Sequence, residues 1–106
     1  ESIKLSDLFI NMVEQTCSDL QLESPIKPSE RGSQVSFSHP SGYAIMQALI
    51  DRNIVGDFRA PNIIRFGITP LYINEEDIIQ TVMVLKNILS NRLWDNPAYL
   101  NRKKVT

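Results

Sequence analysis

The 106-residue chain predicts an α+β fold, a small antiparallel sheet of about three strands with helices packed on one face, in the order α-β-α-β-β-α. Three observations lead there. Apolar residues recur at helical spacing in three separate stretches, near residues 2–16, 40–52 and 75–91. Residues 34–38 and two runs within 54–68 instead alternate with the period of a strand. The two later runs are joined by Arg59-Ala60-Pro61-Asn62, and so short a connection favours an antiparallel hairpin.

In the first helix Leu5, Leu8, Phe9, Met12 and Val13 fall at i, i+3, i+4, i+7 and i+8, an apolar stripe that must pack on something. Residues 18–33 contain Ser24-Pro25, Lys27-Pro28 and Arg31-Gly32, too many breakers for an element interior, and read as a connecting loop. Gln34–Ser38 reads as a half-buried strand with Val35 and Phe37 inward. Pro40 then suits the first turn of a helix that puts Ile45, Met46, Leu49 and Ile50 on one side and ends near Asn53. Gly42 weakens that helix slightly. Thr69-Pro70 breaks the strand that follows the hairpin turn. Asn74 opens the last long helix, with Glu75, Glu76 and Asp77 opposing its dipole, and Ile78, Val82, Leu85 and Leu89 form its buried stripe. Trp94 is placed to seal the end of this helix, whereas Pro97 and Asn101-Arg102-Lys103-Lys104 read as a fraying tail.

With 42% hydrophobic and 22% charged residues, 106 residues can build one core but hardly two, so residues 1–106 are expected to form a single domain. A formal net charge of −1 supplies no field for nucleic acid or an anionic membrane. No apolar run approaches the roughly 20 residues of a membrane span. Cys17, the one cysteine, cannot form an internal disulfide, and a reducing, cytoplasmic setting is expected. The chain starts at Glu1 rather than a methionine, directly before a helical pattern, which fits a piece of a longer protein.

Arg65 is the anomaly. In Ile63-Ile64-Arg65-Phe66-Gly67-Ile68 the strand period puts Ile64, Phe66 and Ile68 on the core face and Ile63, Arg65 and Gly67 on the other. A guanidinium cannot be neutralised there and needs a carboxylate, a phosphate or water, and Gly67 leaves room beside it. This face is expected to be covered by another domain and, exposed, to leave an apolar patch. Asp57 and Arg59 read as a solvated pair at the turn, His39 as a capping residue and Cys17 as a quiet thiol. Phosphate loops, metal-ligand clusters and nucleophile constellations are missing, as is the GxxG clamp of RNA-binding KH domains, so the chain alone is expected to catalyse nothing. Taken by themselves, these residues also allow a self-standing, non-enzymatic α+β module that anchors a small carboxylate or a protein partner on Arg65.

The phrases RGSQVSFSHPSGYAIMQALI (31–50), GDFRAPNIIRFGITPLY (56–72) and LWDNPAY (93–99), with the first helix SIKLSDLFINMVEQ, resemble the C-terminal small domain of the bacterial kynureninase family. The resemblance covers nearly the whole chain in the right order. It implies the C-terminal domain of an aspartate-aminotransferase-fold enzyme that depends on pyridoxal 5′-phosphate. Such enzymes act in tryptophan catabolism and hydrolyse L-kynurenine, or its 3-hydroxy form, to anthranilate or 3-hydroxyanthranilate and L-alanine. It further implies a cytoplasmic homodimer whose large domain, absent from this sequence, holds the cofactor through a lysine. Lys4, Lys27, Lys86, Lys103 and Lys104 do not match that lysine. The arginine with which the family grips the substrate α-carboxylate falls on Arg65, while Arg31, Ser33 and Gln34 match only as structural positions. A purely structural Arg65, paired with an acid of the large domain, stays open beside this role.

Overall fold

The computed structural model describes residues 2–24, 34–68 and 74–100. In chain order these form helix α1 (Ser2–Thr16), strands β1 (Gln21–Leu22) and β2 (Gln34–Ser38), helix α2 (Gly42–Asp51), strands β3 (Asp57–Arg59) and β4 (Ile63–Gly67), helix α3 (Glu75–Ser90) and a helical turn α4 (Pro97–Leu100). The strands make one antiparallel four-stranded sheet in the order β1-β2-β4-β3. The additional strand is β1, inside the stretch read from the sequence as loop. Its pairing of Gln21 with Ser38 and Leu22 with Phe37 is a main-chain affair that no side-chain period announces in two residues.

Alternation along β2 and β4 divides the sheet cleanly. Val35, Phe37, Ile64 and Phe66 are buried, and in register Val35 faces Phe66 and Phe37 faces Ile64. Helices α1 and α2 lie on this side and α3 packs against both of them. Phe9 of α1 is fully enclosed between the rings of Phe37 and Phe66, whose centroids lie 5.9 and 5.0 Å away in edge-on geometry. Ile45, Met46 and Leu49 from α2 and Ile78, Val82, Leu85 and Ile88 from α3 complete the core. Ile50, expected on the buried side of α2, is 47% exposed, because the buried face of that helix runs through Ala44, Ile45, Ala48 and Leu49 and leaves Ile50 beyond its edge.

The helix ends follow local chemistry. Asn74 Oδ1 accepts the Asp77 N–H at 2.9 Å and Asp77 Oδ2 accepts the Asn74 N–H at 3.0 Å, a reciprocal cap that starts α3 where the sequence places it. Helix α2 ends at Asp51 and is closed off by Asn53, whose φ of 67° lets the Asn53 and Ile54 N–H groups return to the carbonyls of Ile50 and Leu49, both at 3.0 Å. Gly42 has a specific reason to be glycine. A Cβ there would lie 2.8 Å from the Asn62 carbonyl oxygen, because the β3–β4 turn rests on the start of α2. Residues 97–100, expected to fray, are tied down by Tyr99, whose hydroxyl donates to Asp51 Oδ2 at 2.7 Å and accepts from Arg52 Nη1 at 3.3 Å. Leu93 and Trp94 pack half-buried against the core, as the sealing role of Trp94 requires. The 101–104 run and Thr69–Tyr72 lie outside the described residues.

Candidate functional site

Arg65 projects from the middle of β4 on the sheet face away from the helices, with Ser36 of β2 on one side and Asp57 of β3 on the other, as the register dictates. Its Nε–H donates to Asp57 Oδ1 at 2.7 Å and its Nη2–H to Asp57 Oδ2 at 2.6 Å, a two-pronged charged pair. The Arg65 side chain keeps 22% of its surface in solvent and that of Asp57 54%. The guanidinium holds the Asp57 carboxyl below the usual carboxylate range, and the carboxylate raises Arg65 in turn. Two residues along, a Cβ built on Gly67 would meet nothing within 4 Å, so the space beside Arg65 is open.

Asp57 therefore bonds to Arg65 and not, as its sequence neighbourhood implied, to Arg59. The signal that could have found it is register: with Arg59 opposite Ile63, counting back two residues on one strand and forward two on the other sets Asp57 opposite Arg65. The face is also more polar than expected. Among its described residues Gln34, Ser36, Ser38, Asp57 and Arg59 surround Arg65, and Ile63 is the one sizeable apolar side chain. Among the described residues the expected apolar patch does not form, because β2, β3 and β4 each place polar side chains outward here. Next to this face, Ser38 Oγ donates to Glu23 Oε2 at 2.7 Å and Ser24 Oγ accepts the Ser36 N–H at 2.7 Å, tying the chain before β2 to its edge.

The other residues singled out from the sequence have local duties. His39 Nδ1 accepts the Ser41 N–H at 2.9 Å just before α2, a capping bond, and its ring meets that of Trp94 edge-on at 5.9 Å. Burial pushes its pKa below the ordinary 6.5, against a smaller opposing pull from Asp19. Cys17 is a buried free thiol whose pKa burial raises, the reverse of what a nucleophile needs. Lys86 is exposed on α3. Among the described residues no three His, Cys, Asp or Glu side chains gather as a metal site, and no helix is long and apolar enough to cross a membrane.

A cleft of about 390 Å³ opens on the helix side of the sheet, lined by Phe9, Ile54, Phe66, Ile68, Ile78 and Val84 among others. Its lining also includes Arg52, Asn53, Asp77, Gln80 and Thr81, but not Arg65. We take the Arg65 face as the candidate site, on the chemistry of its charged fork.

Comparison with known proteins places the chain in a family. The family model described as the kynureninase C-terminal domain matches residues 1–85. Over its full length the chain is 46% identical to the kynureninase of Pseudomonas fluorescens, and 44% identical to those of Burkholderia mallei (strain SAVP1) and Burkholderia pseudomallei (strain K96243). It spans 26% of the length of each of these curated relatives. The match to these relatives runs over the whole chain, and the chain belongs to the kynureninase C-terminal domain family.

Proposed function

We propose that this chain is the small domain of a kynureninase, in which Arg65 binds the α-carboxylate of L-kynurenine or its 3-hydroxy form. In this reading a large domain of the same protein supplies pyridoxal 5′-phosphate and the lysine that holds it, and the products are anthranilate, or its 3-hydroxy form, and L-alanine. The protein would act as a cytoplasmic homodimer, and the chain alone would be inactive. The observation that carries the proposal is the guanidinium of Arg65, held on an open face beside the vacant space at Gly67, in a chain of this family.

The described residues do not themselves suit the cofactor. Lys86 is on a solvent-facing helix surface. Gly42 and Gly56 are closed off by backbone carbonyls, those of Asn62 at 2.8 Å and Arg65 at 2.7 Å, and so form no cradle for a phosphate. When bound by the large domain, the cofactor would supply an electron sink for the carbon bearing the amino group. The work of this chain is positional: a planar donor fork fixes the carboxylate, and with it the orientation of the scissile bond.

The test is Arg65→Ala in the full-length protein, followed by the rate of anthranilate release. A loss on the order of a hundredfold in kcat/KM is expected, with partial recovery in Arg65→Lys, which keeps the charge but not the planar fork. An analogue lacking the α-carboxylate should bind wild type and Arg65→Ala about equally. If Arg65→Ala weakens both ligands alike, or lowers only the melting temperature, Arg65 is a structural residue and the assignment is wrong.

A further inference from the structure

The geometry points to Asp57 as the residue that positions Arg65, gripping one edge of its guanidinium so that the other edge is presented, already oriented, to an incoming carboxylate. This rests on the reading of Arg65 given above and adds a residue to it. A guanidinium has five N–H bonds arranged along two usable edges. Asp57 takes the side edge, one bond from Nε and one from Nη2. Both N–H bonds of Nη1 and the second of Nη2 have no partner among the described residues; one from each nitrogen forms the end edge, wide enough for a second carboxylate to accept two parallel hydrogen bonds, and the other of Nη1 points back toward Cδ.

The support behind Asp57 is built into the hairpin. Asp57 is the direct cross-strand neighbour of Arg65. The preceding residue, Gly56, lets β3 come so close to β4 that a Cβ there would stand 2.7 Å from the Arg65 carbonyl oxygen and 3.0 Å from Met46 Cε. The acid is thus delivered to the arginine by backbone pairing rather than by a mobile loop. Arginine has one of the largest side-chain entropies to lose on binding, so a partner that immobilises it beforehand removes that cost from the binding step.

Asp57 also carries a charge of the same sign as the ligand, which opposes binding. Two features favour orientation over repulsion. The Asp57 side chain is 54% exposed, so solvent screens its charge, and it occupies the edge away from the one left open. Pre-ordering one long side chain is worth roughly tenfold in affinity.

The experiment compares Asp57→Ala, Asp57→Asn and Asp57→Glu with Arg65→Ala in the full-length protein. For each, affinity is measured for a substrate-like inhibitor bearing an α-carboxylate and for its analogue without one, and melting temperatures are recorded alongside. Asp57→Ala should weaken the carboxylate ligand about tenfold while leaving the analogue within about twofold, so that the ratio between the two ligands falls. The isosteric Asp57→Asn, which retains one acceptor and keeps the strand packing, should fall between, and Asp57→Glu should recover part of the ratio. A purely structural acid would move both ligands together. If Arg65→Ala leaves the ratio intact, the reading of Arg65 itself fails. If Arg65→Ala abolishes the ratio but the Asp57 variants keep it, Arg65 stands and the positioning role of Asp57 is refuted. If Asp57→Ala tightens the carboxylate ligand, Asp57 competes with the ligand for the fork, and the inference is overturned in the opposite sense.

Discussion

Phe9→Ala removes the side chain on which the helical layer meets the sheet. Phe9 is fully buried, and its ring packs edge-on against both Phe37 and Phe66, from adjacent strands of the sheet. Truncating an enclosed phenylalanine costs about 3–5 kcal/mol, through lost transfer energy and the cavity left behind. Here the upper part of that range applies, because two aromatic contacts are lost with it and because walls made by a β-sheet cannot collapse inward as loop residues can. Domains of this size are stable by about 5–15 kcal/mol, so the variant should keep its fold with little margin. The assay is urea unfolding of the chain followed by circular dichroism. With a slope of about 2 kcal/mol per molar, a loss of about 4 kcal/mol moves the midpoint down by about 2 M. Phe9→Leu should lose less, since it fills most of the volume. Met83→Ala, at a position 65% exposed on α3, should shift stability by no more than about 0.5 kcal/mol. A Phe9→Ala midpoint within about 0.5 M of wild type would mean that Phe9 is not enclosed, and that α1 is not seated on the sheet as described.

The remaining predictions use the same unfolding assay. Asn53→Ala should destabilise by about 1 kcal/mol, since a Cβ residue without a short polar side chain is strained at a φ of 67°, whereas Asn53→Gly should be neutral or stabilising. Gly42→Ala should cost about 1–3 kcal/mol, because the added methyl must displace the Asn62 carbonyl, while Gly67→Ala, which meets nothing, should leave stability within about 0.5 kcal/mol. In the full-length protein, by contrast, Gly67→Ala is expected to raise KM by filling the space beside Arg65. Burial lowers the His39 pKa from 6.5, so as pH falls below about 6.5 the unfolded state takes up its proton first and stability declines; the imidazolium also cannot accept the Ser41 N–H. Unfolding midpoints between pH 7.5 and 5 should therefore fall, and in His39→Gln they should fall less.

What the sequence determined by itself is what depends on neighbours within a few residues. The stripe Leu5, Leu8, Phe9, Met12, Val13, the alternation of Val35 and Phe37, and the cap at Asn74 each report an element through its own period or its own end, and each is found where it was expected. So is the hairpin, since the three-residue connection Ala60-Pro61-Asn62 leaves its strands little choice but to pair. The family, too, was legible in a few long phrases. Tertiary structure decided the rest, because the deciding partner in each case lies far along the chain or on another element. Strand β1 exists through hydrogen bonds to β2, and the turn at 97–100 through Tyr99 reaching Asp51 and Arg52. Gly42 is required by the backbone of Asn62, and Ile50 is left in water by the way α2 is rolled on the sheet. Arg65 stood out as a lone charge in an apolar strand, yet its partner could be named only once register was known. Asp57 and Arg65 are eight residues apart in sequence but side by side across two strands, and hydrogen bonding depends on distance in space alone.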